Sequence, residues 1–414
     1  MELFTTFTIL IVLSATFAYI NERYLKFPRT IGIMIVSLIT SLVIIGLASP
    51  IPAIYEESTA LVGSLNFSKV VMEVLLSFLL FAGALHVDTR TLASEQKPIL
   101  AFATIGLLIS TFLVGTLVYF MFQLLSYPVD YIYCLLFGSL ISPTDPIAVL
   151  SILKNARVPK QLEVKITGES LFNDGIAVVV FLSLFEMARL GIGEVSTLDI
   201  ALLFLKEAGG GIVLGIALGY AGFYLMKSID EYIVEVLITL ALVMGGYTLA
   251  LNLHISGPLA VVVMGLMMSD KGRTKAMSEN TREYVDKSWE LIDEVLNAVE
   301  FVLIGMEILV MPFDRLYIIA GIIAIVLVLV SRFVAVWLPI SLMKLRRAFV
   351  PKTVRILTWG GLRGGISVAL ALTLTEDMQR ELWVSMTYIV VIFSIIVQGL
   401  TIGSLVKRLG ISGQ

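Results

Sequence analysis

Of the 414 residues one is cysteine, two are histidine and only 15% carry charge. A lone cysteine, Cys134, excludes an intrachain disulfide framework and a Cys-based metal centre. The histidines, His86 and His254, lie far apart in sequence and share no helical metal-ligand spacing. The 29 Lys and Arg nearly balance the 32 Asp and Glu, leaving a net charge of -3. That balance excludes a basic nucleic-acid surface and an acidic tail. The shortage of charge is unusual, because a soluble chain carries about 25%. In its place stands apolar character: 58% of residues are hydrophobic, which excludes a soluble globular protein.

A bilayer core takes about 20 apolar residues per helical crossing. Thirteen segments of this kind follow one another at 3–20, 31–48, 67–87, 99–124, 131–152, 166–188, 199–226, 232–252, 254–268, 288–310, 316–343, 353–375 and 381–405. The expected fold is therefore an all-α polytopic membrane protein with a single transmembrane domain over 1–414. The ninth segment is short, set off from the eighth by His254 to Pro258. The first lacks a basic leader, since Glu2 is the only charge before Asn21, and reads as a retained helix. Most Lys and Arg lie in the connections after odd-numbered spans and in the tail, whereas the opposite side holds only Arg189, Arg315 and Arg380. The positive-inside rule then puts the N-terminus outside and the C-terminus in the cytoplasm. The longest connection, 269–287, reads as a solvated loop.

Two spans cannot run as continuous helices. In the fifth, Ser142-Pro143-Thr144-Asp145-Pro146 removes two helical N–H donors and frees the carbonyls of Ser139 and Ser142. In the twelfth, four glycines flank an arginine in Gly360-Gly361-Leu362-Arg363-Gly364-Gly365. Unwound backbone at membrane depth survives only where protein buries it or water reaches it. The breaks are seven spans apart, an odd number, so spans 1–6 and 8–13 form inverted repeats with broken helices 5 and 12 meeting near the midplane.

Depth follows from a rise of about 1.5 Å per residue. Asp145 is nine residues from Lys154, Asp174 nine from Lys165 and Arg363 eight from Arg355. All three fall about 12–14 Å from the inner boundary, near mid-bilayer, either as one polar site or as a polar brace that fixes helix register. On the sixth span, Ser170, Asn173 and Asp174 share a helix face. Glu169 is turned about 140° from Asp174 at 3.6 residues per turn. It is therefore assigned a structural ion pair with Arg363, an arginine too costly to leave unpaired. The remaining oxygen ligands are Asp145, Asp174, Asn173, Ser170 and carbonyls freed at Thr144. These suit a small, hard monovalent cation or a proton and offer nothing soft for a transition metal.

The stretches SPTDPIAV (142–149), GESLFNDGIAVVVF (168–181) and GGLRGGISVALAL (360–372) resemble the cation/proton antiporter superfamily, specifically the electroneutral NhaP-type sodium/proton exchangers. The resemblance implies exchange of a monovalent cation (Na+, or Li+ or K+) for H+ across the plasma (inner) membrane, without a cofactor. It implies a homodimer in which a transport bundle, drawn from about 99–188 and 316–405, moves against a dimerisation part made of the other helices. By motif position Asp174 binds cation and proton in turn, Ser170 and the Thr144 carbonyl are further ligands, Asp145 is a direct or water-mediated one and Asn173 orients the site. Glu169 and Arg363 match the family's structural ion pair. One departure stands out: where the family commonly has glutamate in the third span, this chain has Ala82. Glu73, nine residues earlier, lies near the outer interface.

Three further features carry weaker signals. Glu300 and Arg332 share a depth of about 18–20 Å from the inner side and make a candidate structural pair between spans ten and eleven. Gly211, Gly215 and Gly219 form a small-residue ladder for close packing within one subunit or along a dimer seam. Two aspartates at one depth also admit an intramembrane aspartyl protease using Asp145 and Asp174, and a polar membrane interior admits a cation channel.

Overall fold

Apolar segments in lipid must satisfy their backbone hydrogen bonds internally, so they fold as helices. The computed structural model describes residues 3–64, 66–147, 149–150, 153, 158–191, 197–269, 276–345 and 349–411, and these residues form helices with no strand among them. In chain order they are α1 Leu3–Ile20, α2 Arg29–Gly46, α3 Pro52–Ser64, α4 Phe67–Leu85, α5 Thr89–Leu124, α6 Tyr131–Ile141, α7 Lys160–Leu190, α8 Ala201–Lys227 and α9 Tyr232–Asn252. They continue as α10 Gly257–Met267, α11 Glu279–Met306, α12 Arg315–Met343, α13 Thr353–Trp359, α14 Gly365–Leu372 and α15 Arg380–Leu409. With α13 and α14 as the halves of one broken span, and α3 set aside as a short connecting helix, each of the thirteen expected spans has its helix.

Some expectations change. Helix α3 falls in a stretch read as a connection, because its composition is too polar for a crossing; it packs near Glu307–Val310. The 269–287 segment is not a solvated loop throughout: α11 begins at Glu279, capped by Ser278 Oγ accepting from Thr281 N at 3.4 Å. It buries Val285 and Trp289, an amphipathic continuation of the span. Residues 270–275 of that connection lie outside the described residues, as do 148, 151–152 and 154–157 at the inner end of the fifth span, including the Lys154 used for its depth.

The glycine ladder packs inside the subunit. A Cβ on Gly211 or Gly215 would fall 2.5 Å from the Ser256 or Ala260 carbonyl, and one on Gly219 would meet Met267 at 2.9 Å, so α8 lies directly on α10. Aromatic contacts fix the broken span's surroundings. Trp383 of α15 stacks on Phe137 of α6 at 5.4 Å, and Trp289 of α11 meets Phe81 of α4 at 4.6 Å. Lys165, the inner mark for the depth of Asp174, is buried on α7 and paired with Glu95 of α5 at 3.1 Å.

Candidate functional site

Where a helix stops inside the membrane, its freed backbone groups need partners. Helix α6 ends at Ile141, and Asp145 N donates to Leu362 O at 2.8 Å, so the two broken spans cross and bond to each other there. Several groups around the first break find partners in the same way. The Ser142 and Pro143 carbonyls accept from Arg363 Nη1, the latter at 2.8 Å. The Thr144 carbonyl accepts from Ser170 Oγ. Asn173 grips Thr144 twice, its Nδ2 donating to Thr144 Oγ1 at 2.9 Å and its Oδ1 accepting from Thr144 N at 3.5 Å. Asp145 Oδ1 accepts from Ile147 N at 2.8 Å.

The second break mirrors the first. The Leu357 carbonyl, near the end of α13, accepts from Arg332 Nε at 3.3 Å, and the Trp359 carbonyl accepts from Gln398 Nε2 at 2.9 Å. Ser394 Oγ accepts from Arg363 N at 2.9 Å, and the Glu300 carboxylate sits against the N–H of Gly365, the first residue of α14. Both broken C-termini thus hold an arginine, the sign that a helix C-terminus favours, and the buried N-terminus of α14 holds a carboxylate.

This arrangement overturns the pairing of Glu169 with Arg363. Glu169 pairs with Arg332 on α12, buried with it at 1% and 7% side-chain exposure. Arg363 is drawn instead to the Ser142 carbonyl that Pro146 released and to the Pro143 carbonyl beside it, and its Nη2 has no hydrogen-bond partner among the described residues. The Glu300–Arg332 pairing fails for the same reason, because Arg332 is committed to Glu169 and Leu357. Depth along separate helices is a one-dimensional measure. It ranks residues by height and leaves open which helix stands beside which.

The glycines of the second break serve proximity, since none has a positive φ. A Cβ on Gly361 would fall 2.6 Å from Arg332 Nε, one on Gly364 2.6 Å from Asp145 Oδ2 and one on Gly365 2.2 Å from Glu300 Oε1. Three charged side chains therefore approach the unwound backbone closely because it carries no side chains there.

A cavity of about 460 Å³ meets this crossing. Thr144, Asp145, Ser170 and Asp174 line its floor, and Asp293, Asn297 and Glu300 of α11 line one wall. Its rim carries Arg29 and Glu294, paired at 2.6 Å and 59% and 48% exposed, so the cavity opens on that side. Asp174, Ser170, Asn173 and Thr144 are buried, and Asp145 is half-buried. The charges of Asp145 and Glu300 act on Asp174 across the cavity. Sequence reasoning brought Asp145, Asp174, Ser170, Asn173 and Thr144 to one place, and the structure brings them together. It missed the wall of α11, although Asp293, Asn297 and Glu300 at i, i+4 and i+7 are a polar stripe on one helix face.

A model of the sodium/hydrogen exchanger transmembrane family matches residues 11–408. The Na(+)/H(+) antiporter NhaP of Pseudomonas aeruginosa is 51% identical over 405 residues, covering 96% of this chain and 95% of that one. The Na(+)/H(+) antiporter NhaH of Halobacillus dabanensis is 35% identical, covering 99% and 98%. In fold the chain is similar to the sodium proton antiporter MjNhaP1 of Methanocaldococcus jannaschii, with a TM-score of 0.76 at 21% identity over 100% of both chains. By its matched length and its identity to these relatives, this polytopic helical chain belongs to the transmembrane sodium/hydrogen exchanger family.

Proposed function

We propose that the protein is a secondary antiporter that exchanges Na+ for H+ across the plasma membrane, one for one, with Asp174 binding cation and proton in turn. The observation that carries this reading is a cavity lined by Asp174 and Asp145 at the crossing of two broken helices. A cation entering it leaves water for oxygen ligands: the Asp174 carboxylate, the Thr144 carbonyl, the Ser170 hydroxyl and Asp145, directly or through water. Asn173 holds Thr144 in place by its two hydrogen bonds. A proton on Asp174 cancels the charge that retains the cation, so the two compete. Glu169–Arg332, with Arg363, keeps the broken helices assembled while access alternates.

The charge pattern of the loops supports an external N-terminus and a cytoplasmic C-terminus, which makes the Arg29–Glu294 rim cytoplasmic and this conformation inward-facing. We assign the moving bundle to 99–188 and 316–405, acting within a homodimer. The protease reading has no support, because the family consists of exchangers. The channel reading has none either, because the relatives are antiporters and a channel needs several weak sites in line through an open pore.

Stoichiometry follows from Asn173. It cannot titrate, so no second ionisable group adjoins Asp174 in the sequence, and one carboxylate trading one proton for one monovalent cation carries no net charge. Purified protein in liposomes, given a sodium gradient and a valinomycin-set potassium diffusion potential, is expected to show proton flux reversing at the same sodium gradient at every voltage. A reversal point that moves with voltage refutes one-for-one exchange.

Gly364 tests the geometry of the floor. An added methyl would meet not only Asp145 Oδ2 but its Cβ at 2.8 Å, which cannot swing away as a chain end could. Gly364→Ala is expected to slow sodium-driven proton flux by about ten-fold or more, since misplacing a site group by about 1 Å can cost 10²-fold. Flux at the wild-type rate in matched liposomes would show that Asp145 tolerates displacement.

A further inference from the structure

Between the exposed rim and the floor, the cavity wall carries a set of groups that the exchange step at Asp174 does not use. Asp293, Asn297 and Glu300 stand at i, i+4 and i+7 of α11 and line the same cavity. Asn297 is 2% exposed. It hydrogen-bonds the Asp293 carboxylate, for which its Nδ2 is the donor, and its Oδ1 is left with no hydrogen-bond partner. A buried amide oxygen without a donor costs about 1–3 kcal/mol. A residue with such an oxygen, lining the cavity between two carboxylates, is placed to offer it to a cation. Glu300 itself is held by the N–H of Gly365, which fixes its carboxylate on the cavity side of α14. Among the described residues no arginine is paired with this wall: Arg332 and Arg363 are engaged at the helix breaks, and Arg29 pairs with Glu294 at the rim.

We propose that Asn297 Oδ1, Asp293 and Glu300 form a second, vestibular binding site for a monovalent cation, from which the ion passes to Asp174. The proposal rests on the antiport reading and adds to it a station on the entry path. The chemistry is two carboxylates and one amide oxygen along a single helix face, a hard-oxygen set open to water on one side. Such a set holds a partly hydrated alkali cation weakly. Weak holding is what an entry site requires, since a tight one would retain the ion that Asp174 must receive. The site also places a carboxylate in the cavity of a chain that has Ala82 in the third span, so the cation meets negative charge before it reaches the floor.

The test separates the two sites. Full-length purified protein is titrated calorimetrically with NaCl against choline chloride at constant ionic strength. Asp174→Asn, which removes the deep carboxylate, is expected to keep a sodium-binding signal, and adding Asn297→Ala or Glu300→Gln to it should abolish that signal. Absence of sodium binding in Asp174→Asn, or binding unchanged by the wall substitutions, overturns the proposal. If Asp174→Asn does not yield folded protein, Asn297→Ala in the otherwise native chain decides. It should raise the sodium KM on the rim side by about ten-fold, the loss of one ligand to a charged group, with the opposite-side KM unchanged. Equal KM values for Asn297→Ala and wild type on the rim side count against it. Failure of the antiport reading is distinct, because it appears as absent sodium-driven proton flux in the wild-type protein itself.

Discussion

Asp174→Asn should abolish sodium-driven proton flux in liposomes while the purified protein remains folded and monodisperse. The neutral amide is close in shape to the carboxylate but can neither hold a proton in exchange for a cation nor neutralise the cation's charge. Because Asp174 is the one group proposed to trade its proton for the cation, the loss is expected to exceed 10²-fold, a difference of about 3 kcal/mol at the transport step. The native protein should show the complementary behaviour. Proton and cation compete for one carboxylate, so lowering the pH on one side raises the apparent sodium KM on that side. At the alkaline end, where Asp174 is fully ionised, KM should become independent of pH while proton delivery limits turnover. Wild-type flux in Asp174→Asn, or a KM insensitive to pH throughout, would place the exchange on another group.

A second large effect is expected at Glu169 and Arg332, on stability. Both are buried and joined, and Arg332 also holds the Leu357 carbonyl at the end of α13. Removing one partner leaves an uncompensated charge in a site sealed by helices, which typically costs about 3–5 kcal/mol. Arg332→Ala and Glu169→Ala should each lower yield and thermal stability by that order. The double substitution should lose much less than the sum, because neither charge is then left alone. Arg363→Ala, by contrast, leaves the Glu169–Arg332 pair whole and exposes two carbonyls. Its loss should add to that of Glu169→Ala without the coupling. Thermal melts of the three single variants and the two doubles, Glu169→Ala with Arg332→Ala and Glu169→Ala with Arg363→Ala, in one detergent provide both cycles. Strong coupling of Glu169 to Arg363 and none to Arg332 would restore the pairing that helix depth alone suggested.

How far the sequence speaks is clearest at these residues. Hydropathy located the crossings because lipid leaves the backbone no partner outside its own segment, a rule that acts on each segment independently. Pro143 and Pro146 announced the first break for an equally local reason, the missing N–H groups. The spacing of Ser170, Asn173 and Asp174 placed them on one face because 3.6 residues per turn holds in any helix. Each of these is a property of a short stretch of chain.

What the tertiary structure decided is which stretches meet. Glu169, Arg332 and Arg363 share a region of the bilayer, and two pairings satisfy the same charges. The choice went to Arg332 because the Ser142 and Pro143 carbonyls at the first break hold Arg363. The glycines around Arg363 read as helix breakers, yet their close approaches to Arg332, Asp145 and Glu300 exist only once three other helices pack against them. Glu300 looked like half of a structural pair and instead faces the cavity with Asp293 and Asn297. Sequence by itself therefore determined the crossings, the breaks and the carboxylate at Asp174, since these depend on local hydrogen bonding and helical periodicity. The partners of the buried charges and the wall of the cavity were left to packing, because long-range contacts between helices are set by the fit of whole surfaces rather than by any one segment.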